Sequence, residues 1–294
     1  MKIPYFPGCT LKSFAKKFEE SAIAAAKQLS IEFVEIPRWN CCGVVSSLAT
    51  DDIIHHVAPI RNFVRVLEMN QEGIVKDNKR LLTLCSMCYN TLKRSNNRMK
   101  NSPDDLKVVN DFMSNEIDYD GSVELIHFLS LLREIGFDKI QSKVVNPLKN
   151  LKVAGYYGCM LLRPKDIGID HHETPTIMED FIRSLGAEAV EWRCRHKCCG
   201  SYLTLNNKDT VVNLGYDILT DAQRSGADIV ITSCPLCAFN LDNRQNDIKH
   251  KYPDFRNIPV VYFTQLMTVA YGLEKHTWEV NGKIGIGKKI EECH

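Results

Sequence analysis

One cysteine arrangement occurs twice in this chain, and in the same order each time. The first copy is Cys9, then Cys41 and Cys42 in "WNCCG", then Cys85 and Cys88 in "CSMC". The second is Cys159, then Cys198 and Cys199 in "HKCCG", then Cys234 and Cys237 in "CPLC". Ten of the twelve cysteines belong to these two sets. Such a repeat implies an internally duplicated protein with two soft-metal sites. It also constrains the fold, because three segments far apart in sequence must converge on one point in each half.

The 294 residues are enough for two compact domains with their own cores. A hydrophobic content of 44% and a charged content of 25% are those of an ordinary globular protein. A net charge of +1 gives no basis for nucleic acid or an anionic membrane as a partner. The start "MKIPYFPGCT" has no apolar core of a signal peptide, and "VELIHFLSLL" is too short and too polar to span a bilayer. A cytoplasmic location is the expectation. In a reducing compartment, thiols in this pattern serve as ligands or redox centres more readily than as structural disulfides.

Each half shows one order of elements. In the first, strands are expected at 2–6, 31–36 and 80–84 and helices at 12–29 and 52–68. Phe14, Phe18, Ala22, Ala25, Ala26 and Leu29 would form one helix face. In the second, strands are expected at 151–157, 187–192, 227–233 and 258–263 and helices at 173–185 and 208–225, with a short helix last. This alternation predicts an α/β fold of two pseudo-symmetric domains, each with a mostly parallel sheet and flanking helices. The expected boundaries are 1–150, including a helical connection over 95–150, and 151–294. Within that connection "SNNRMKNSPDD" reads as a loop and "VELIHFLSLLREIGF" as a helix. The Gly- and Lys-rich tail 281–294 reads as loosely packed. Every cysteine segment then falls where a strand ends, and in open α/β sheets those ends line the ligand crevice.

The ligand count narrows the metal. Structural zinc closes with four ligands, and a cubane iron–sulfur cluster also takes four thiolates. Each set here offers five. Adjacent cysteines splay their side chains and are awkward as two ligands of one small ion. They suit an extended cluster in which one thiolate bridges two irons. A thioredoxin-like dithiol would need only one Cys-x-x-Cys and leaves the Cys-Cys-Gly units unexplained.

At these residues the chain resembles the CCG cysteine-rich family, and over nearly its whole length it is similar to the B-type subunit of heterodisulfide reductase from methanogenic archaea. The resemblance implies a noncubane [4Fe-4S] cluster on each motif, two in all, facing each other across a substrate site. Cys9, Cys41, Cys42, Cys85 and Cys88 would hold one, and Cys159, Cys198, Cys199, Cys234 and Cys237 the other. It implies reduction of the coenzyme M–coenzyme B heterodisulfide to two thiols, one electron from each cluster, with each cluster capturing one sulfur. Implied partners are the ferredoxin-like C-type subunit of that enzyme, fed by its A-type subunit with flavin and iron–sulfur centres. The resemblance also extends to a hydrogenase or formate dehydrogenase as an implied partner in a larger complex. One departure is visible: forty-two residues separate Cys42 from Cys85, against thirty-four between Cys199 and Cys234, and the family spacing is nearer the second. The extra length is expected near 70–78 as a longer surface loop.

Two further readings stay open: a related CCG protein acting on another substrate, in lactate or glycolate oxidation or in sulfur metabolism, and a non-catalytic electron-transfer or zinc-bearing scaffold protein. The anionic groups of the two coenzymes call for positive charge, and Arg163 and Arg195 are the candidates beside ligands, among Lys12, Lys165, Arg193, His196 and Lys197. These are otherwise solvated surface charges. Cys194 and Cys293 read as unligated thiols. His55-His56 and His171-His172 read as helix-start or surface residues, since adjacent histidines seldom share one ion.

Overall fold

The computed structural model describes residues 1–44 and 52–273; the expected tail 281–294 and Cys293 lie outside them. Two four-stranded sheets, every pairing parallel, form the frame. The first contains β1 (Lys2–Phe6), β2 (Glu32–Glu35), β3 (Arg80–Thr83) and β4 (Glu124–His127), in the order β2-β1-β3-β4. The second contains β5 (Lys152–Tyr156), β6 (Glu188–Val190), β7 (Ile229–Thr232) and β8 (Val260–Tyr262), in the order β6-β5-β7-β8. The shared order shows that the duplication extends to topology. Strands covered on both faces read as continuous apolar runs, and all four residues of "IVIT" in β7 are buried.

The helices in the first half are α1 (Lys16–Gln28), α2 (Ile54–Gln71), α3 (Ser86–Asn101), α4 (Pro103–Phe112), α5 (Phe128–Ile135) and α6 (Phe137–Gln141). Those in the second are α7 (Ile177–Ser184), α8 (Lys208–Arg224), the one-turn α9 (Pro235–Ala238), α10 (Gln245–Lys251) and α11 (Phe263–Ala270). The α1 face is as expected for Phe18, Ala22, Ala25 and Ala26, which are buried. Phe14 departs from it: the residue precedes the helix in a turn and is 94% exposed.

The connection over 95–150 also differs from expectation. "SNNRMKNSPDD" is helical, divided at Ser102, whose side chain accepts the Asp105 amide while Pro103 takes the first helical position. The apolar run "VELIHFLSLL" is a strand followed by a helix, not one helix. His127 makes the junction, its Nδ1 accepting the Leu129 amide at 3.2 Å to cap α5. A short apolar run carries too little periodicity to separate strand from helix.

The extra length before Cys85 lies only partly in the expected loop. Between helix and strand the first half has residues 72–79 and the second only 225–228. Most of the remainder precedes the helix, where 43–53 stand against 200–207. The two sheets share one apolar core. Phe263 of α11 is its hub, with ring centroids 5.7 Å from Phe18, 6.0 Å from Phe128 and 5.6 Å from Phe181. Ser21 of α1 meets Thr264 of α11 at 2.6 Å.

Candidate metal centre

β1 and β3 are neighbours at the point where strand order reverses, and both lead into cysteines: β1 into Cys9 and β3 into Cys85. β5 and β7 lead likewise into Cys159 and Cys234. Ligand crevices of parallel sheets open at such a reversal, beyond the carboxyl ends of the strands. The chain reaches Cys9 and Cys159 through Gly8 and Gly158, both left-handed at φ +74° and +64°. A Cβ on Gly8 would stand 3.1 Å from Cys88 Sγ, and one on Gly158 3.4 Å from Cys237 Sγ. Only glycine lets the backbone pass this close to the sulfur in that conformation. The glycine of the second Cys-Cys-Gly is constrained too: Gly200 has φ +89°, and a Cβ there would meet Val211 at 2.9 Å.

Within each half the thiols come together in contacting pairs. Cys41 Sγ is 3.9 Å from Cys9 Sγ and Cys42 Sγ 3.5 Å from Cys88 Sγ. In the second half Cys199 Sγ is 3.4 Å from Cys237 Sγ, and Cys198 and Cys159 are close enough to shift each other's pKa. All eleven described cysteines are free thiols. Cys42, Cys85, Cys88, Cys199, Cys234 and Cys237 are buried, whereas Cys9, Cys41 and Cys198 reach the surface. Among the described residues no three Cys, His, Asp or Glu side chains surround a single ion-sized point.

The two sets meet. Cys85 and Cys234 lie at the junction of the halves, close enough for each thiol to shift the pKa of the other. Beside them Ser86 donates its amide to Ser233 O at 3.1 Å, and the two hydroxyls lie 2.7 Å apart. Pro235 has no N–H to return that bond, and the Leu84 carbonyl accepts instead from His127 Nε2 at 2.8 Å. Asn90 adds a third tie, donating to the Met160 and Arg163 carbonyls at 2.7 and 2.6 Å.

Crowding sets which sulfur gives up its proton first. Hydrogen bonds from Cys41 and Cys88 draw Cys42 down to about 4, and the hydrogen bond with Cys159 lowers Cys198 to about 6. Contact with Cys234, then with Cys88, pulls Cys85 well below the ordinary thiol value. Cys234 goes the other way, to about 12: its contact with Cys237 lowers it, but the Cys85 contact and burial prevail. Tyr156 and Tyr262 are both raised by burial first and then by nearby cysteines, Cys237 foremost at Tyr156 and Cys234 at Tyr262.

The loops that carry the cysteine pairs are clamped by buried amides. Asn62 exchanges hydrogen bonds with the backbone of Asn40, at 2.9 and 3.1 Å, directly before Cys41. Asn240 donates to the Cys199 and Ser201 carbonyls at 3.2 and 2.8 Å. Neither asparagine carries a pattern that sequence reading could have found. Gly8 and Gly158 do carry one, the repeated Gly-Cys.

The expected cations divide. Arg195 is occupied, its guanidinium pairing at 3.1 Å with Glu179, a buried carboxylate that also accepts from Tyr157 OH. Burial raises the Glu179 pKa against the pull of these partners. The Arg195 carbonyl receives the Tyr157 and Gly158 amides, so the residue ties the Cys159 turn to the Cys198 loop. Arg163 is exposed and close enough to His196 to help depress its pKa, after burial and ahead of Arg195. Lys12 bridges Glu19 and Glu35, each at 2.7 Å, and Lys197 pairs with Asp217. Cys194 lines an open polar hollow with Tyr216, Asp217 and Asp221, and its amide donates to Asp221. His55 stands at the start of α2, but His56 is buried and bonded to Ser95. His171 caps its own loop by accepting the Thr174 amide.

The model of the CCG cysteine-rich domain matches residues 3–93 and again 153–242. The chain belongs to the CCG cysteine-rich domain family. It is 33% identical over 271 residues to the 8-methylmenaquinol:fumarate reductase membrane anchor subunit of Wolinella succinogenes, covering 92% of each chain. It is 28% identical over 280 residues to the B-type subunit of a ferredoxin/F420H2-dependent CoB-CoM heterodisulfide reductase of Methanosarcina acetivorans, covering 92% of this chain and 89% of that one. A solved hypothetical protein from Helicobacter pylori shares the fold, with a TM-score of 0.72 at 12% identity. This CCG chain spans about half of that structure's length (49%) and is itself covered to 93%. No described helix is long and apolar enough to cross a membrane.

Proposed function

We propose that this chain is an iron–sulfur redox protein equivalent to the B-type subunit of heterodisulfide reductase. Its ten repeated cysteines would hold two noncubane [4Fe-4S] clusters, the first set in residues 1–150 and the second in 151–294. The observation that carries this reading is the contact of Ser86 with Ser233, 3.1 Å from amide to carbonyl and 2.7 Å between hydroxyls, which sets Cys85 and Cys234, one from each set, at one junction. The donors suit such a group, since they are free soft thiols, largely buried, and approached through glycines that leave no Cβ in the way. When bound, such clusters supply single electrons at two adjacent places, matching the two-electron cleavage of a disulfide.

The rest is the work of this chain's residues. Asn62 and Asn240 hold the two Cys-Cys loops, and Ser86, Ser233 and Asn90 fix the distance between halves. Arg195 orders the Cys159 turn, and of the two leading candidates it is the exposed Arg163 that is free of a carboxylate partner among the described residues and proposed to meet a sulfonate, phosphate or carboxylate. The proposed substrate is the coenzyme M–coenzyme B heterodisulfide, and the proposed partners are ferredoxin-like and flavin-bearing subunits. Anaerobic purification with iron and sulfide counting tests this directly. About eight of each per chain are expected for two such clusters, with an EPR spectrum that changes on adding the heterodisulfide. Zinc without iron would end the reading.

A second reading is that the same two centres exchange electrons with a quinol in a fumarate-reducing complex. It is favoured by the 33% identical relative and by an apolar cleft at the edge of the junction.

A further inference from the structure

A cleft of about 450 Å³ opens where the two halves meet. Its walls come from both. Thr10, Phe14 and Ala15 belong to the turn that follows Cys9, and Leu205 to the loop that follows Cys198 and Cys199. Pro235 and Leu236 are the two residues between Cys234 and Cys237, so the outer side of the second Cys-x-x-Cys is itself a wall. The volume falls within the range of small-molecule sites.

The chemistry of the lining narrows the ligand. Three aromatic rings border the cleft, Phe14, Phe239 and Tyr262, and Tyr262 is held rigid by stacking on Phe18 at 4.3 Å and 2°. Two large apolar side chains at the rim are left in water, Phe14 at 94% and Leu205 at 88% exposure. Such exposure is unfavourable for a side chain with nothing to bind, and grouped apolar exposure marks interaction sites. Charge is balanced: among the described residues, Lys17, paired with Glu20 at 3.2 Å, and Asp242 are the only charged groups in the lining. A sulfonate or phosphate would find no surplus cation here. Thr10, Thr204 and Gln265 can serve polar atoms at the edge of a ring.

We infer that this cleft is a binding site for an uncharged, ring-bearing apolar redox molecule of the quinone class, seated against the turn that carries Cys234 and Cys237. The inference rests on the second reading of function, and the lining of this site does not include Arg163, the cation proposed for an anionic disulfide.

The test uses the anaerobically purified, iron-loaded full chain and 2,3-dimethyl-1,4-naphthoquinone, which lacks the free ring position that would alkylate thiols. Equilibrium dialysis should show saturable binding. The double variant Phe14→Glu/Leu205→Glu changes only exposed rim residues and should bind at least tenfold more weakly, with iron content unchanged. The disulfide of 2-mercaptoethanesulfonate, an anionic probe, should neither compete nor lose affinity in the variant. Absence of saturable binding to the wild type, equal binding by the variant, or competition by the anionic disulfide each overturns the inference. Iron counting and disulfide turnover are measured on the same samples. A wild type that reduces the heterodisulfide but does not bind the naphthoquinone refutes this site and leaves the first reading standing. Binding by a protein that takes up no iron refutes the redox readings and leaves an apolar ring site.

Discussion

At the scale of single residues, the candidate centres depend on sulfur and on the atoms that make room for it. Replacing Cys41 or Cys198 with alanine removes one thiolate outright, and each variant is expected to lose the iron of its own half while Cys194→Ala keeps both. Iron per chain after anaerobic gel filtration decides this, and full iron in both ligand variants would refute the assignment. Gly8 bears a second prediction. At φ +74° an added Cβ costs about 1–2 kcal/mol of backbone strain, and it would also sit 3.1 Å from Cys88 Sγ. Gly8→Ala should therefore lower the denaturation midpoint and impair iron uptake in the first half only. Arg163→Ala should raise the KM for an anionic disulfide with little change in stability, because the side chain is exposed. Arg195→Ala should instead destabilise by about 3–5 kcal/mol, since it leaves the buried Glu179 carboxylate without its cation. Unfolding curves separate the two.

At the scale of elements, a strand that periodicity presents as part of a helix is the one that organises the junction. β4 carries His127 to the end of β3, where Nε2–H donates to Leu84 O next to Cys85 and Nδ1 accepts from Leu129. Burial pushes the His127 pKa down to about 3, outweighing the carbonyl that would raise it. The unfolded chain, titrating near 6.5, then binds more protons than the folded one between those values. Stability from this group is complete above pH 6.5 and is lost as pH falls toward 3. Acidification from pH 7 to 5 should remove on the order of 2 kcal/mol through this residue. Urea midpoints at the two pH values check it, and His127→Gln should show the shallower pH dependence. The repeat contains the signal for β4. "IHF" at 126–128 is the counterpart of "VYF" at 261–263, and the second copy reads as a strand from sequence and is one. Periodicity alone misses the first, because an apolar stretch that crosses from strand to helix has no single period.

At the scale of the whole molecule, the halves are two copies by topology but one body by packing. Phe263, fully buried, contacts aromatic rings from both halves. Phe263→Ala should cost about 3–5 kcal/mol. Because the core is shared, the loss should appear as one earlier unfolding transition rather than as the separate melting of one half. Calorimetry that shows two transitions, with only one displaced, would contradict this. A single transition would make the proposed boundary near 150 one of the repeat rather than of independent folding.

The sequence by itself determined the duplication, the α/β class, and the placing of Cys9, Cys85, Cys159 and Cys234 just beyond strand ends. These are local properties, written in periodicity and in residue identity. Only the tertiary structure decided that the Cys85 and Cys234 turns meet through Ser86 and Ser233, that Arg195 is already committed to Glu179, that His56 is buried and that Phe14 faces a cleft and not the core. Those facts depend on how the two sheets are set against each other. That arrangement follows from shape and shared apolar burial summed over the whole core, and no short stretch of sequence encodes it.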